Sequence, residues 1–222
     1  MKATAEVLGQ RGLDGTTIPR IAHHAGLSPA SVYRRFPDKV ALLETVVIDI
    51  YQRQAERLRS TLPPGYARQV PITLLANQLV NSMMISYRIS AGLLRALRHL
   101  IQTSSNSAFK KRVTRYESRS FEYLVDLFLE HEGEIRHSSP RLAVSLGLML
   151  VINTLIELIV MSPQHKQWAR LLPKDDEQLR QELVTAFLRY LGIAGNVTTW
   201  SEARGKETRS SVSTQRRSQP RR

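Results

Sequence analysis

Two proline-marked helix starts, at Thr17-Ile18-Pro19 and Ser28-Pro29, constrain this 222-residue chain more than any other feature. A Ser or Thr side chain accepts a hydrogen bond from the open amides of a first helical turn. Proline is tolerated there because its missing N–H had no helical partner. Gly26 lies between the two signals, at the left-handed position that ends a helix. The spacing therefore predicts short helices near 18–25 and 29–36, joined by Gly26-Leu27-Ser28. The tight turn and the small Ala22 let the two helices cross steeply and closely, which is helix-turn-helix geometry.

The rest of the chain repeats one period. Apolar residues recur at helical spacing almost everywhere, and no segment alternates like a half-buried strand. A first helix ends at Arg11-Gly12. Asp38 caps a long helix reaching about Leu58, with Val40, Leu43, Val47, Ile50 and Ala55 as its stripe. After the break at Pro63-Pro64-Gly65, helices are expected at 71–89, 92–102 and 108–130. Ser139-Pro140 caps another to about Met161, and Asp175 caps the last, which ends near Gly192. With 42% hydrophobic residues the chain can bury a substantial core. The expectation is an all-α protein, with an N-terminal helix-turn-helix domain at 1–48 and a helical regulatory and dimerisation domain at 49–195.

The second short helix carries the chemistry. Stepped at helical pitch, Pro29, Val32 and Phe36 share the face expected to be buried. Arg34 falls nearly opposite, beside Ala30 and Ser31, with Tyr33 and Arg35 on the flanks. Such a face suits a DNA major groove, where Arg bonds two acceptors of guanine and small residues allow close approach. Lys39, in the first turn of the next helix, is placed to hold a phosphate with the adjacent amides. From charge alone, Tyr33-Arg34-Arg35 could equally be a solvated face. The turn spacing and the second capped helix favour the groove.

The segment GLDGTTIPRIAHHAGLSPASVYRRFPDKVALLETVV resembles the DNA-binding domain of TetR-family transcriptional regulators. The shared pattern is Gly-x-x-x-Thr-Thr, Ile-Ala-x-x-Ala-Gly-Leu-Ser, Val-Tyr-x-x-Phe-x-x-Lys and Leu-Leu, over residues 5–48. The resemblance implies a homodimer on a near-palindromic operator that a small molecule releases from DNA. It carries DNA contacts onto Thr17, Ser28, Ala30, Ser31, Tyr33, Arg34 and Lys39. Relatives usually have residues ahead of the first helix, whereas Met1 here falls inside it. That implies a start placed late or a missing minor-groove arm. A helical DNA-binding protein without a small-molecule effector, architectural or governed by a protein partner, is the alternative.

Other chemistry is poorly represented. The chain has no cysteine, which excludes disulfides and thiolate sites. His23 and His24 are adjacent, so they point apart on a helix and cannot ligate one metal together. No phosphate-cradling loop, dinucleotide fingerprint or nucleophile elbow occurs, so neither an enzyme nor a cofactor is expected. The formal charge of +13 is uneven: residues 196–222 hold seven basic and two acidic side chains, and read as a basic disordered tail. No signal peptide is expected ahead of the first helix. The apolar run 144–161 is broken by Ser145, Gly147, Asn153, Thr154 and Glu157, which suits a buried helix better than a membrane span. A cytoplasmic protein without a membrane partner is expected.

The apolar helices pose two questions. Helix 140–161 is hydrophobic on nearly all sides, so a partner should cover what one core cannot, with 175–191 beside it through Leu183, Phe187 and Tyr190. Within it, Asn153 and Glu157 share a face; they read either as polar anchors of a ligand pocket or as a polar spot in a dimer interface. Met83, Met84 and Tyr87, with Phe121, Leu124, Val125 and Phe128, either line a cavity or fill a core. Few ionisable groups accompany them, so a pocket there would take an apolar or aromatic effector oriented by Tyr87, Asn153 or Glu157.

Overall fold

The computed structural model describes residues 1–161, 172, 173 and 175–193, and among these every regular element is a helix. The expected tail at 196–222 lies outside the described residues. Helix α1 spans Lys2–Gly15 and breaks inside at Gly12, whose φ is 67°. The carbonyls freed by that break are taken by three side chains. The Thr16 hydroxyl donates to Gly12 at 2.6 Å, Arg20 to Gly15 at 2.6 Å, and the Lys39 ammonium to Leu13 at 3.0 Å.

Helix α2, Ile18–His24, starts on Thr17, which accepts from the Arg20 amide at 3.4 Å. It stops as expected: Leu27 N–H bonds to Ala22 O at 2.8 Å and Gly26 N–H to His23 O at 3.1 Å. This closure needs a left-handed residue, and Gly26 supplies it at φ 67°. Ser28 then caps α3, Pro29–Tyr33, accepting from the Ser31 amide at 3.2 Å. Regular α-helix ends earlier than predicted, but turn bonds from Arg34, Arg35 and Phe36 carry the coil on.

Helix α4, Lys39–Thr61, is capped by Asp38 on the Ala41 amide at 2.8 Å. Its buried residues are Leu42, Leu43, Val46, Val47, Ile48 and Ala55. Val40, placed on the stripe by periodicity, is 50% exposed. A helix packed on two sides buries a broad face, and the stripe is centred one residue away from that expected.

The largest departure is α5, Ile72–Thr103, one helix of 32 residues where two were expected. Gly92 does not interrupt it. A helix interior tolerates glycine at about 1 kcal/mol relative to alanine, and close packing can require it. Helix α6, Ser107–Leu129, is capped by Asn106 on the Phe109 amide at 3.1 Å. Helix α7, Pro140–Leu155, continues as a π-turn over Ile156–Val160. Ser139 precedes it without a side-chain cap bond; its own N–H goes to His137 Nδ1 at 3.0 Å. Helix α8, Asp176–Tyr190, is capped by Asp175 on the Gln178 amide at 2.7 Å.

Among the described residues the buried side chains form three clusters. Val7, Ile18, Ile21, Ala22, Val32, Leu42 and Val46 form the headpiece core. A junction cluster joins Leu8 and Leu43 to Leu97, Leu100, Phe109 and Val113. The third and largest lies among α5, α6, α7 and α8, around Phe128, Leu75, Leu148 and Leu155. Helix α4 runs unbroken across residue 48, so the expected domain boundary falls inside an element that both regions share.

Candidate nucleic-acid interface

The residues singled out for DNA differ in their exposure. Tyr33, Arg34 and Arg35 are exposed, as are Ser28 and Ala30, while Ser31 is half-buried. Val32 is the buried anchor of α3, with Phe36 packed against the headpiece core. Pro29, expected on the buried face, is exposed, because a first-turn residue on so short a helix lies beyond the reach of that core. Arg35 stacks over the Phe36 ring, 5.9 Å from its centroid, which leaves Arg34 as the outward guanidinium.

Two candidates have a structural duty as well. The Ser28 hydroxyl is engaged in the cap and also lies 2.9 Å from Ser31 Oγ. Lys39 holds the Leu13 carbonyl, so its ammonium fastens the end of α1 to the start of α4. An ammonium has three N–H donors, and one internal bond leaves two for an outside acceptor. His24 is bonded to Glu6 at 2.7 Å.

Residues 1–46 match the model of the family described as bacterial regulatory proteins, tetR family. The N-terminal segment therefore carries the DNA-binding domain of that family. The fold of the chain agrees with solved TetR-like structures across most of its length. The fatty acid degradation regulator FadR from Bacillus halodurans is 16% identical, with TM-score 0.59, covering 84% of this chain and 91% of that one. A putative TetR-family regulator from Rhodococcus sp. is 19% identical, with TM-score 0.58, covering 86% and 95%. FadR from Bacillus subtilis, in complex with stearoyl-CoA, is 17% identical, with TM-score 0.57, covering 86% and 93%. No curated protein matches the chain.

In this chain the headpiece is tied to the helices that follow by polar contacts that sequence reasoning missed. Glu44 accepts from the Ser104 hydroxyl at 2.8 Å and the Asn106 amide at 2.7 Å. The Tyr51 hydroxyl donates to Glu117 at 2.8 Å, and burial, then the Glu117 charge, pushes its phenol well above the ordinary range. The missed Thr16 had a signal: of two adjacent threonines only one can cap α2, so the other must turn back to α1.

The regulatory candidates divide. Met84, Leu124, Val125 and Phe128 are buried in the large cluster, with Met83, Tyr87 and Phe121 packed against it. Tyr87 is raised to about 12 by burial, with Arg98 pulling it down. Asn153 and Glu157 are not brought to this group. Both are exposed, on the side of α7 that also shows Leu142, Leu146, Met149 and Leu150 at 42–60% exposure. Asn153 donates back to Met149 O at 2.9 Å. Phe187, named with Leu183 and Tyr190 as the contact of α8 beside helix 140–161, is buried against Gly147 of α7 with its ring edge-on to Phe128. Tyr190 remains partly exposed.

Proposed function

We propose that the protein is a TetR-family regulator, a homodimeric, cytoplasmic repressor that binds a near-palindromic operator and is released by a small apolar or aromatic effector. Residues 1–48 read DNA, and 49–195 dimerise and sense the effector. The observation that carries the DNA reading is the outward face of α3, with Tyr33 and Arg34 exposed beside a capped, glycine-ended turn. Arg34 takes the base-reading role. Thr17, Ser28, Ala30, Ser31, Tyr33 and Lys39 position the helix on groove and phosphates.

Dimerisation is supported by the apolar side of α7. The window within Pro140–Val160 averages 2.2 in hydropathy, yet only 44% of it is buried within the protomer. A second copy would cover the rest, with Asn153 and Glu157 inside that interface. Effector sensing is supported by analogy of fold: one similar structure holds stearoyl-CoA, and another is a flavonoid-responsive regulator, FrrA. Met83, Met84, Tyr87, Phe121, Leu124, Val125 and Phe128 are the proposed site. Their packing into a core favours a second reading, in which the protein binds DNA without a small-molecule effector. A compound that weakens operator binding at fixed salt decides between the two.

For DNA, Arg34→Ala is expected to cost about 1–3 kcal/mol on the operator and relax specificity at one position per half-site. Lys39→Ala is expected to weaken all sequences alike and lower the salt slope by about one per contact. Binding isotherms at several salt concentrations check both, and equal loss on every sequence would reduce Arg34 to a phosphate contact. For the effector, Leu124→Trp is expected to abolish the ligand response while operator affinity stays intact. A folded Leu124→Trp protein with a normal response excludes this location, and unfolding favours a filled core.

A further inference from the structure

Helices α1 and α5 cross with a glycine on each, at Gly9 and Gly92. A Cβ on Gly92 would lie 2.4 Å from the Gly9 carbonyl oxygen and 3.4 Å from its carbon. The obstacle is backbone, which cannot swing aside as a side chain would. The opposite substitution is milder: a Cβ on Gly9 would meet Leu93 Cβ at 3.4 Å. The demand for glycine is therefore strongest on α5.

The crossing lies where the two functions meet. On one face of α1, Val7 is buried with Ile18, Ile21 and Val32, so α1 and the recognition elements share a core. On the other, Leu8 packs with Leu97 and Leu100 of α5. The far half of α5 supplies Leu75, Leu79, Val80 and Met84 to the regulatory core. Beside the crossing an open cleft of about 340 Å³ separates Lys2 and Glu6 from Ile89 and Leu93.

We propose that Gly92 is a specificity-determining position, seating the headpiece on α5 and so setting the separation of the two recognition helices in the dimer. This rests on the dimeric, DNA-binding reading above. A methyl at residue 92 must lift α1 by about 1 Å to restore ordinary contact, and the headpiece moves with it. Two half-sites must be met at once, about one helical turn apart, so a shifted seat changes which spacing is bound.

The test is selection from a random-sequence duplex pool with the full chain, scored by half-site spacing. Wild type is expected to enrich a near-palindrome of one spacing. Gly92→Ala, shown folded by circular dichroism and dimeric by sedimentation, is expected to enrich a different or broader spacing. It should bind the wild-type sequence about ten- to a hundredfold more weakly, as a lost base contact would. Its affinity for an isolated half-site should not change. Identical spacing and affinity would overturn the proposal, as would an equal loss on the isolated half-site. Should Gly92→Ala fail to fold, Gly9→Val presses on the same crossing from α1, and unchanged spacing there overturns it equally. A wild-type protein that enriches no sequence refutes the DNA-binding reading itself, a distinct result.

Discussion

Replacing Leu146 and Leu150 together by aspartate is expected to yield a folded protomer that sediments as a monomer at micromolar concentration. Both side chains are exposed on α7, beside Leu142 and Met149, and each would contribute about 1.5–3 kcal/mol when fully covered. Two carboxylates at the centre of an apolar interface reverse that gain and add the cost of desolvating charge. The protomer core is untouched, because Val144, Leu148, Val151 and Leu155 carry the buried face of α7. Losing the second headpiece removes the bivalent advantage, so operator affinity is expected to fall about 10²–10⁴-fold. A double variant that remains dimeric would place the interface elsewhere.

Phe128→Ala is expected to destabilise the protein by about 3–5 kcal/mol, read as a lower urea midpoint with an unchanged slope. Phe128 is fully buried, and its ring meets Phe187 edge to face at a centroid distance of 5.2 Å. Truncation there removes both the transfer free energy and an aromatic contact, and leaves a hole that surrounding helices cannot fully close. The magnitude also reports on the effector site. A loss under about 1 kcal/mol would mean that the ring already borders empty space, as in a ligand cavity rather than a filled core.

The headpiece was legible because local signals there are strong and mutually consistent. Thr17, Ser28 and Asp38 each accept the amide bond that their position implied, and Gly26 has the positive φ that its turn implied. The regulatory half was read less well, for two physical reasons. A glycine in a helical pattern signals either a break or a close approach, and only the neighbour of Gly92 tells which applies. Likewise, helical periodicity says that residues share a face, but not what faces them. It grouped Asn153 with Glu157 and left open whether a pocket or a partner faces them. On α8 it named Phe187 and Tyr190 together, and both rings lie against Gly147 of α7, with Phe187 also edge-on to Phe128.

The buried clusters bear on how such proteins can be recombined. Among the described residues seven buried side chains make the headpiece core, and the adjoining layer draws Leu43, Val47 and Ile48 against Ala96, Leu97, Phe109 and Val113. A chimera that transplants residues 1–48 onto another regulator would strand that layer against a foreign surface. The portable unit is discontinuous: the first 48 residues together with the facing stretches of α5 and α6. Substitutions at exposed Tyr33 and Arg34 leave the buried clusters intact, but exchanging whole headpieces requires the donor's supporting strips to travel with them.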